Sequence, residues 1–327
     1  MGKKQKIVTI GGGSGQFALL SGLRGLGEVE ITAIVSMVDS GGSTGRLRDE
    51  LGILPPGDVL KCILALSPHQ DIARNIFLKR FIKDRRLQGH NAGNMLLTML
   101  SQYTGSFPTG VQALAEILDV QGTILPVTID KATLVAELTD GSRIYGQTAI
   151  DVPRGTQREK IRNVFLVPHH SDSITVYPPV IEAISEADYV IIGPGDLFTS
   201  IIPNLIVHGV KETLQDTNAT LLYVINIMTK FGETHNFTGI DFVKRLEVSI
   251  ERQVDGIIHN TEKPDENILD QYREQKAEFV EIDESDEIWV NRKIYLSPML
   301  DVSGGVVRHD SEKLALLIQE IISGKKK

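Results

Sequence analysis

Three glycine-rich stretches carry the residues with the clearest chemistry. The first, Gly11-Gly12-Gly13-Ser14-Gly15, directly follows the β-branched run Lys6–Ile10 and directly precedes an apolar-periodic segment that begins at Gln16. Gly13–Ala18 fits G-x-G-x-x-A, the turn between a strand and a helix that cradles phosphate. Glycine admits positive φ and lets the backbone approach a ligand closely. The helix start beyond it supplies unpaired N–H groups and a partial positive charge. The chemistry on offer is the holding of a nucleotide-type ligand; a ligand-free glycine turn is the plain alternative.

The second stretch is Asp39-Ser40-Gly41-Gly42-Ser43-Thr44-Gly45-Arg46-Leu47-Arg48. Asp39 falls about 20 residues past the first turn, where dinucleotide folds place an acid on a ribose hydroxyl. Behind it come backbone N–H groups, the hydroxyls of Ser40, Ser43 and Thr44, and the guanidinium groups of Arg46 and Arg48. That set suits a phosphorylated or polyhydroxylated ligand, or a flexible polar loop. The third stretch, Gly193-Pro194-Gly195-Asp196-Leu197-Phe198-Thr199-Ser200, again follows a buried strand. Asp196 is either a ligand contact or the N-cap of the next helix.

Other positions are thinner candidates. Gly89-His90-Asn91-Ala92-Gly93-Asn94 precedes an apolar helix, and Asn94 is taken as a ligand contact. Asn226 ends a strand at a place suited to a base or a sugar, and Lys230 lies just beyond it. Tyr272 either stacks on a base or sits on an ordinary amphipathic helix. Arg308, after Gly304-Gly305, reaches a diphosphate or makes a surface ion pair. His169 and His170 have no further ligand cluster in the sequence to make a metal site. H-E-x-x-H, paired C-x-x-C, Walker A and G-x-S-x-G motifs are absent.

These residues need a scaffold of strand ends. Lys6–Ile10, a helix from Gln16 to Leu26 and a strand over Ile31–Val35 make a parallel β-α-β unit. Helices are expected over Val59–Leu66, Ile72–Ile82, Gly93–Tyr103 and Gly110–Leu118. Residues 122–150 change to strand-like runs (Thr123–Ile129, Thr133–Leu138, Arg143–Gln147), with Asp140-Gly141 as a hairpin signal. Alternation then resumes: strands at Asp188–Ile192, Thr220–Asn226 and Gly256–Ile258, helices at Leu197–Val210, Asp241–Ile250, Glu266–Lys276 and Glu312–Ile322. The expectation is an α/β fold: one doubly wound, Rossmann-like domain over 1–327 with a mostly parallel sheet, a helical insertion at about 58–120 and a small antiparallel insertion at about 122–150.

Composition narrows the class. The chain of 327 residues has a net charge of -8, which opposes general binding to nucleic acid or to anionic membrane surfaces. Cys62 is the single cysteine, so no intrachain disulfide forms, as suits a reducing compartment. The apolar run Ile7–Ile10 is too short for a signal-peptide core or a membrane span, and a cytoplasmic location is expected. A homo-oligomer is expected only because dimers are common.

Taken in order, Asp39–Arg48, Pro55-Pro56-Gly57-Asp58, Gly89–Asn94, Gly193–Asn204 and Thr229–Thr234 resemble the bacterial gluconeogenesis factors. That family lies in the CofD-like superfamily with the 2-phospho-L-lactate transferases. The resemblance spans Gly11 to about Asp310 and implies a Rossmann-like core. It also implies a role in cell shape and in growth on gluconeogenic carbon sources, with binding of a UDP-sugar such as UDP-N-acetylglucosamine. Gly12, Gly13, Asp39, Asn94, Gly193 and Gly195 match the family's motifs, and Arg308 lies in its late V-R-H-D stretch. Two positions depart. The transferase-like pattern often has two acids where this chain has Asp39-Ser40, and the family's Gly-Pro-Gly-Ser reads Gly-Pro-Gly-Asp here. Paired carboxylates are what would hold Mg²⁺ beside a diphosphate. With Asp39 alone, a second acid comes only from elsewhere in the fold, Asp196 being one candidate.

Three functions compete: a regulatory protein that binds a UDP-sugar and signals through a protein partner in cell-wall synthesis; a Mg²⁺-dependent transferase of the 2-phospho-L-lactate transferase type; and a dinucleotide binder. The expected ligand contacts are Gly11 to Gly15, Asp39 to Ser43, Arg46, Asn94, Gly193 to Asp196, Thr199, Ser200, Asn226, Lys230, Tyr272 and Arg308.

Overall fold

The computed structural model describes residues 4–83, 86–153, 155, 157–290 and 292–326. The chain runs β1 (Gln5–Gly11), α1 (Gly13–Leu23), β2 (Val29–Val35), α2 (Gly42–Leu51), α3 (Gly57–Leu66), α4 (Gln70–Phe77), α5 (Ala92–Thr104), α6 (Phe107–Ile117) and β3 (Thr123–Pro126). It continues through β4 (Ala132–Leu138), β5 (Arg143–Tyr145), α7 (Gln147–Asp151), β6 (Ile161–Pro168), α8 (Pro178–Ser185) and β7 (Tyr189–Ile192). A π-helical turn (Leu197–Ile201) leads into α9 (Ile202–Leu205), α10 (Val210–Asp216), β8 (Thr220–Val224), α11 (Gly239–Ile250), β9 (Gly256–Asn260) and α12 (Glu266–Glu274). The last elements are β10 (Lys293–Ser297), β11 (Leu300–Asp301), β12 (Arg308–His309) and α13 (Ser311–Ile322).

Seven strands form one parallel sheet in the order β10-β9-β8-β7-β1-β2-β3. The order reverses between β7 and β1, the switch point at which open α/β sheets bind ligands. Its central strands are buried: Val190, Ile191 and Ile192 of β7 and Leu221 to Val224 of β8 have no exposed surface. Such unbroken apolar strands are what helix cover on a parallel sheet requires. Helices α1, α3 and α13 pack as one group, and α8 to α11 as another. Gly22 permits the first group, since a Cβ there would lie 2.0 Å from the carbonyl oxygen of Ser311.

The helical insertion spans α2 to α6, between β2 and β3. The small antiparallel sheet has the order β5-β4-β6, and the hairpin signal at Asp140-Gly141 is its β4–β5 turn.

Several boundaries differ from the sequence expectation. Thr123–Pro126 pairs in parallel with β2 and belongs to the main sheet, while the antiparallel unit reaches on to Pro168. Gln147 opens α7 instead of ending a strand. The helix expected over Ile72–Ile82 stops at Phe77, because Phe81 N–H instead donates to the His90 carbonyl and Arg80 bridges to Asn91. Leu197–Val210 is not one helix but a π-helical turn, a short α-helix and a break at Gly209, whose φ is +101°. Gly42 to Arg48 of the Asp39–Arg48 stretch, expected as loop, form the first part of α2. Among the described residues, no helix is long and apolar enough to cross a membrane.

Candidate functional site

The first and third glycine turns meet at the switch point. Gly13 has φ +66° and Gly193 φ +78°, values that favour glycine. A Cβ on Gly15 would stand 2.3 Å from the carbonyl oxygen of Pro194, so the two turns touch only because residue 15 has no side chain. Side chains then fix them. The buried Gln16 amide donates to the Ile34 carbonyl at 3.0 Å and the Thr9 hydroxyl at 3.2 Å, locking the start of α1 onto β1 and β2. Asn204 Nδ2 donates to the carbonyls of Gly11 (3.1 Å) and Ser200 (2.8 Å), stapling the third turn to the first. A cavity of about 830 Å³ opens over both turns.

On the β2 side of the cavity stand Asp39, Asp58 and Lys61. Asp39 Oδ1 accepts the Gly41 N–H at 2.9 Å, which fixes the carboxylate ahead of α2. Lys61 Nζ donates to Asp58 Oδ1 at 2.8 Å. Burial, and then the neighbouring charge of Asp58, push the Asp39 carboxyl above its ordinary value. The second acid absent at Ser40 is therefore supplied by Asp58, at the start of α3. In the sequence Asp58 stands in the Pro55-Pro56-Gly57-Asp58 stretch but not among the expected ligand contacts.

Opposite lies a cluster that no sequence spacing announces. Lys230 Nζ donates to Asp151 Oδ1 and to Asp196 Oδ2 (2.8 Å), and lies 3.2 Å from Glu233 Oε1. The Thr199 hydroxyl bonds Glu233 as well, at 3.2 Å from each oxygen. Glu233 is 1% exposed, and burial, then the Asp196 charge, push its carboxyl up to about 8. Asp196 is raised by burial and by Asp151 despite Lys230. Burial works against the Lys230 ammonium, but the three carboxylates outweigh it and hold it charged. Ligand atoms of Asp151, Asp196 and Glu233 lie within 4.8 Å of one another, a grouping that could hold a metal ion, with the Lys230 ammonium against all three. Asp151 comes from α7, so the antiparallel insertion reaches over the cleft. It is tied to the other rim by the Thr148 N–H, which donates to Ser40 Oγ at 3.0 Å.

The β8 side is less charged. Asn226, Met228, Tyr272, Ala277, Val306, Val307, Arg308 and His309 line it. The Tyr272 hydroxyl accepts the Val307 N–H at 2.9 Å, which holds the ring beside the last turn before α13. His309 is 7% exposed; burial, with the nearby His259, pushes its imidazole down to about 4, so it is neutral near pH 7.

The expected contacts divide into two groups. Gly12 to Gly15, Asp39, Gly41, Pro194, Gly195, Asp196, Ser200, Asn226, Lys230, Tyr272 and Arg308 line this cavity. Gly11, Ser40, Gly42, Ser43, Arg46, Asn94, Gly193 and Thr199 are not on its wall. Ser43 Oγ pairs with His90 Nδ1 at 2.9 Å and receives the Asn94 amide at 3.3 Å, while Arg46 donates to the Gln88 carbonyl. These three therefore tie α2 to the start of α5 and the segment before it, within the helical insertion. Asp58, Lys61, Asp151 and Glu233 were missed in the sequence, being distant from the glycine motifs along the chain.

The architecture is that of a parallel α/β protein with a ligand cleft at its switch point. The chain belongs to the CofD family: the profile described as 2-phospho-L-lactate transferase CofD matches residues 7–300. It is 38% identical over 323 residues to the gluconeogenesis factor of Bacillus subtilis (strain 168), covering 98% of this chain and 99% of that one. It is 38% identical over 286 residues to the gluconeogenesis factor of Halalkalibacterium halodurans, covering 86% of this chain and 85% of that one. The crystal structure of protein BH3568 from Bacillus halodurans superposes with a TM-score of 0.90 at 35% identity, covering 97% of this chain and all of that one.

Proposed function

We propose that this chain binds a nucleoside diphosphate sugar, UDP-N-acetylglucosamine in the first place, and serves as a regulatory protein for cell shape and for growth on gluconeogenic carbon sources. One observation carries the reading: two glycine turns, with Asp39 and Gly41, line one cavity at the switch point. The N–H groups at the start of α1 and the Arg308 guanidinium suit a diphosphate. Tyr272 offers a face for the base. The relatives named gluconeogenesis factor support the link to gluconeogenic growth. Cytoplasmic location and a protein partner in cell-wall synthesis belong to the same proposal. Titration calorimetry across UDP-sugars and dinucleotides tests it. Failure of every UDP-sugar to bind at millimolar concentration removes it, and tighter binding of NAD(P) would replace it with dinucleotide binding.

The Asp39–Asp58 pair favours a second reading, a Mg²⁺-dependent transferase. Two carboxylates on one wall of the cavity, with the Asp58 charge raising the proton affinity of Asp39, fit a hard divalent ion. Bound there, Mg²⁺ would neutralise charge on a diphosphate. Incubation with Mg²⁺ and candidate donors decides: product formed above background and lost in Asp39→Ala establishes turnover, and no product leaves binding alone.

A further inference from the structure

The two ends of the cleft are built for different chemistry. The β8 end presents Tyr272, Ala277, Val306 and Val307. At the other end, Gln147, Thr148 and Asp151 of α7 line the cavity with Asp196 and Lys230. Lys230 takes one oxygen from each aspartate, Oδ1 of Asp151 and Oδ2 of Asp196, and Glu233 lies behind it. With Glu233 protonated, the two aspartates around one ammonium still leave a wall of net negative charge that repels phosphate. The same wall attracts neutral donors, because a carboxylate fixed by an ion pair accepts hydrogen bonds from hydroxyl and amide N–H groups without reorganising.

Two further facts point to a ligand here. The Asp151 and Asp196 side chains keep 26% and 36% of their surface exposed despite the ion pairs, so they are within reach from the cavity. Ser200, only 9% exposed, stands on the same segment as Asp196, beside Gly12 and Gly13 and on the cavity wall. Its hydroxyl makes no hydrogen bond to any described residue. On the cavity wall, that hydroxyl is open to a ligand as donor or acceptor.

We infer that this end of the cleft is the subsite for the polyhydroxyl part of the ligand, and that Asp151 and Asp196 select ligands by accepting hydrogen bonds from sugar hydroxyls or an acylamino N–H. The inference rests on the nucleoside diphosphate sugar reading and deepens it. Asp151 is the notable member, because it makes the antiparallel insertion a specificity element. Lys230 is a positioning residue: it aims the two carboxylates and limits the negative charge a diphosphate meets nearby.

The test measures UDP and UDP-N-acetylglucosamine separately, by calorimetry, on the full chain and on Asp151→Asn and Asp196→Asn, with melting curves to establish folding. The wild type binds the sugar nucleotide more tightly than UDP. In each variant the sugar nucleotide weakens by about ten- to a hundredfold, the size of a lost charge-assisted hydrogen bond. UDP, which lacks the sugar, stays within about twofold. Equal weakening of both ligands, or of neither, overturns the inference and leaves nucleotide binding standing. A wild type that binds neither ligand removes the nucleotide reading itself and the inference with it.

Discussion

Glu233→Gln isolates the buried acid beneath the Lys230 cluster. Glu233 keeps its proton in the folded chain up to about pH 8, against 4.5 for an ordinary glutamate. In the unfolded chain it is ionised above 4.5. The stability this group contributes is therefore fully present below pH 4.5 and is lost as pH rises through 8. The whole window corresponds to about 5 kcal/mol, of which about 3 kcal/mol has gone by pH 7. Glutamine cannot ionise, yet its amide oxygen can still accept from Lys230 and from Thr199. Relative to their difference at pH 4, the variant should gain on the wild type by about 3 kcal/mol at pH 7 and about 5 kcal/mol above pH 9. Urea unfolding at each pH from 4 to 9 reads this directly, and taking the difference between two chains cancels every other titrating group. Parallel stability curves for the two proteins would refute the reasoning, since they would mean that Glu233 is ionised in the folded chain at neutral pH.

Three further outcomes follow from the same geometry. Gly15→Ala drives a methyl group into the Pro194 carbonyl, 2.3 Å from the ideal Cβ, and should cost about 1–3 kcal/mol in urea unfolding and part the first and third turns, abolishing nucleotide binding by calorimetry. His259 and His309 are held neutral down to about pH 4 in the fold, against 6.5 when free. Their contribution is present above 6.5 and is lost as pH falls to 4, about 3 kcal/mol for each, so His309→Gln should show a shallower acid-side loss of stability than the wild type. Asp58→Asn removes a neighbouring charge from Asp39, and nucleotide affinity should lose any dependence on Mg²⁺ when titrated with and without the ion, while retained dependence would place the ion elsewhere.

Much of the scaffold can be read from the chain because local and tertiary preferences agree. Lys6–Ile10 is β-branched and ends in glycine, and it is a central strand. Asp140-Gly141 is a hairpin turn. Where they disagree, the sequence misleads. Gly42-Ser43-Thr44-Gly45 has the composition of a loop, yet it forms the first turn of a helix. Tertiary bonds from Ser43 to His90 and Asn94 hold it there. Leu197–Val210 has helical periodicity, but the turn starts π-helical, with Ser200 and Ile201 both donating to the Asp196 carbonyl, and Gly209 ends it. The site is split in the same way. Glycine turns announce themselves because backbone geometry demands them. Asp58, Asp151 and Glu233 do not, because a carboxylate becomes part of a site only through neighbours from other elements. Asp39 needed Asp58 from α3, and Asp196 needed Asp151 from the insertion and Lys230 from beyond β8.

The most direct test of the central claim is a crystal structure of the chain grown with UDP-N-acetylglucosamine. It should show the diphosphate over Gly12 to Gly15 and Gly195, the uracil at the Tyr272 end and the sugar against Asp151 and Asp196. Density for the nucleotide at any other place on the protein, or an empty cleft at saturating ligand, would contradict the claim that the glycine turns form one nucleotide-sugar site.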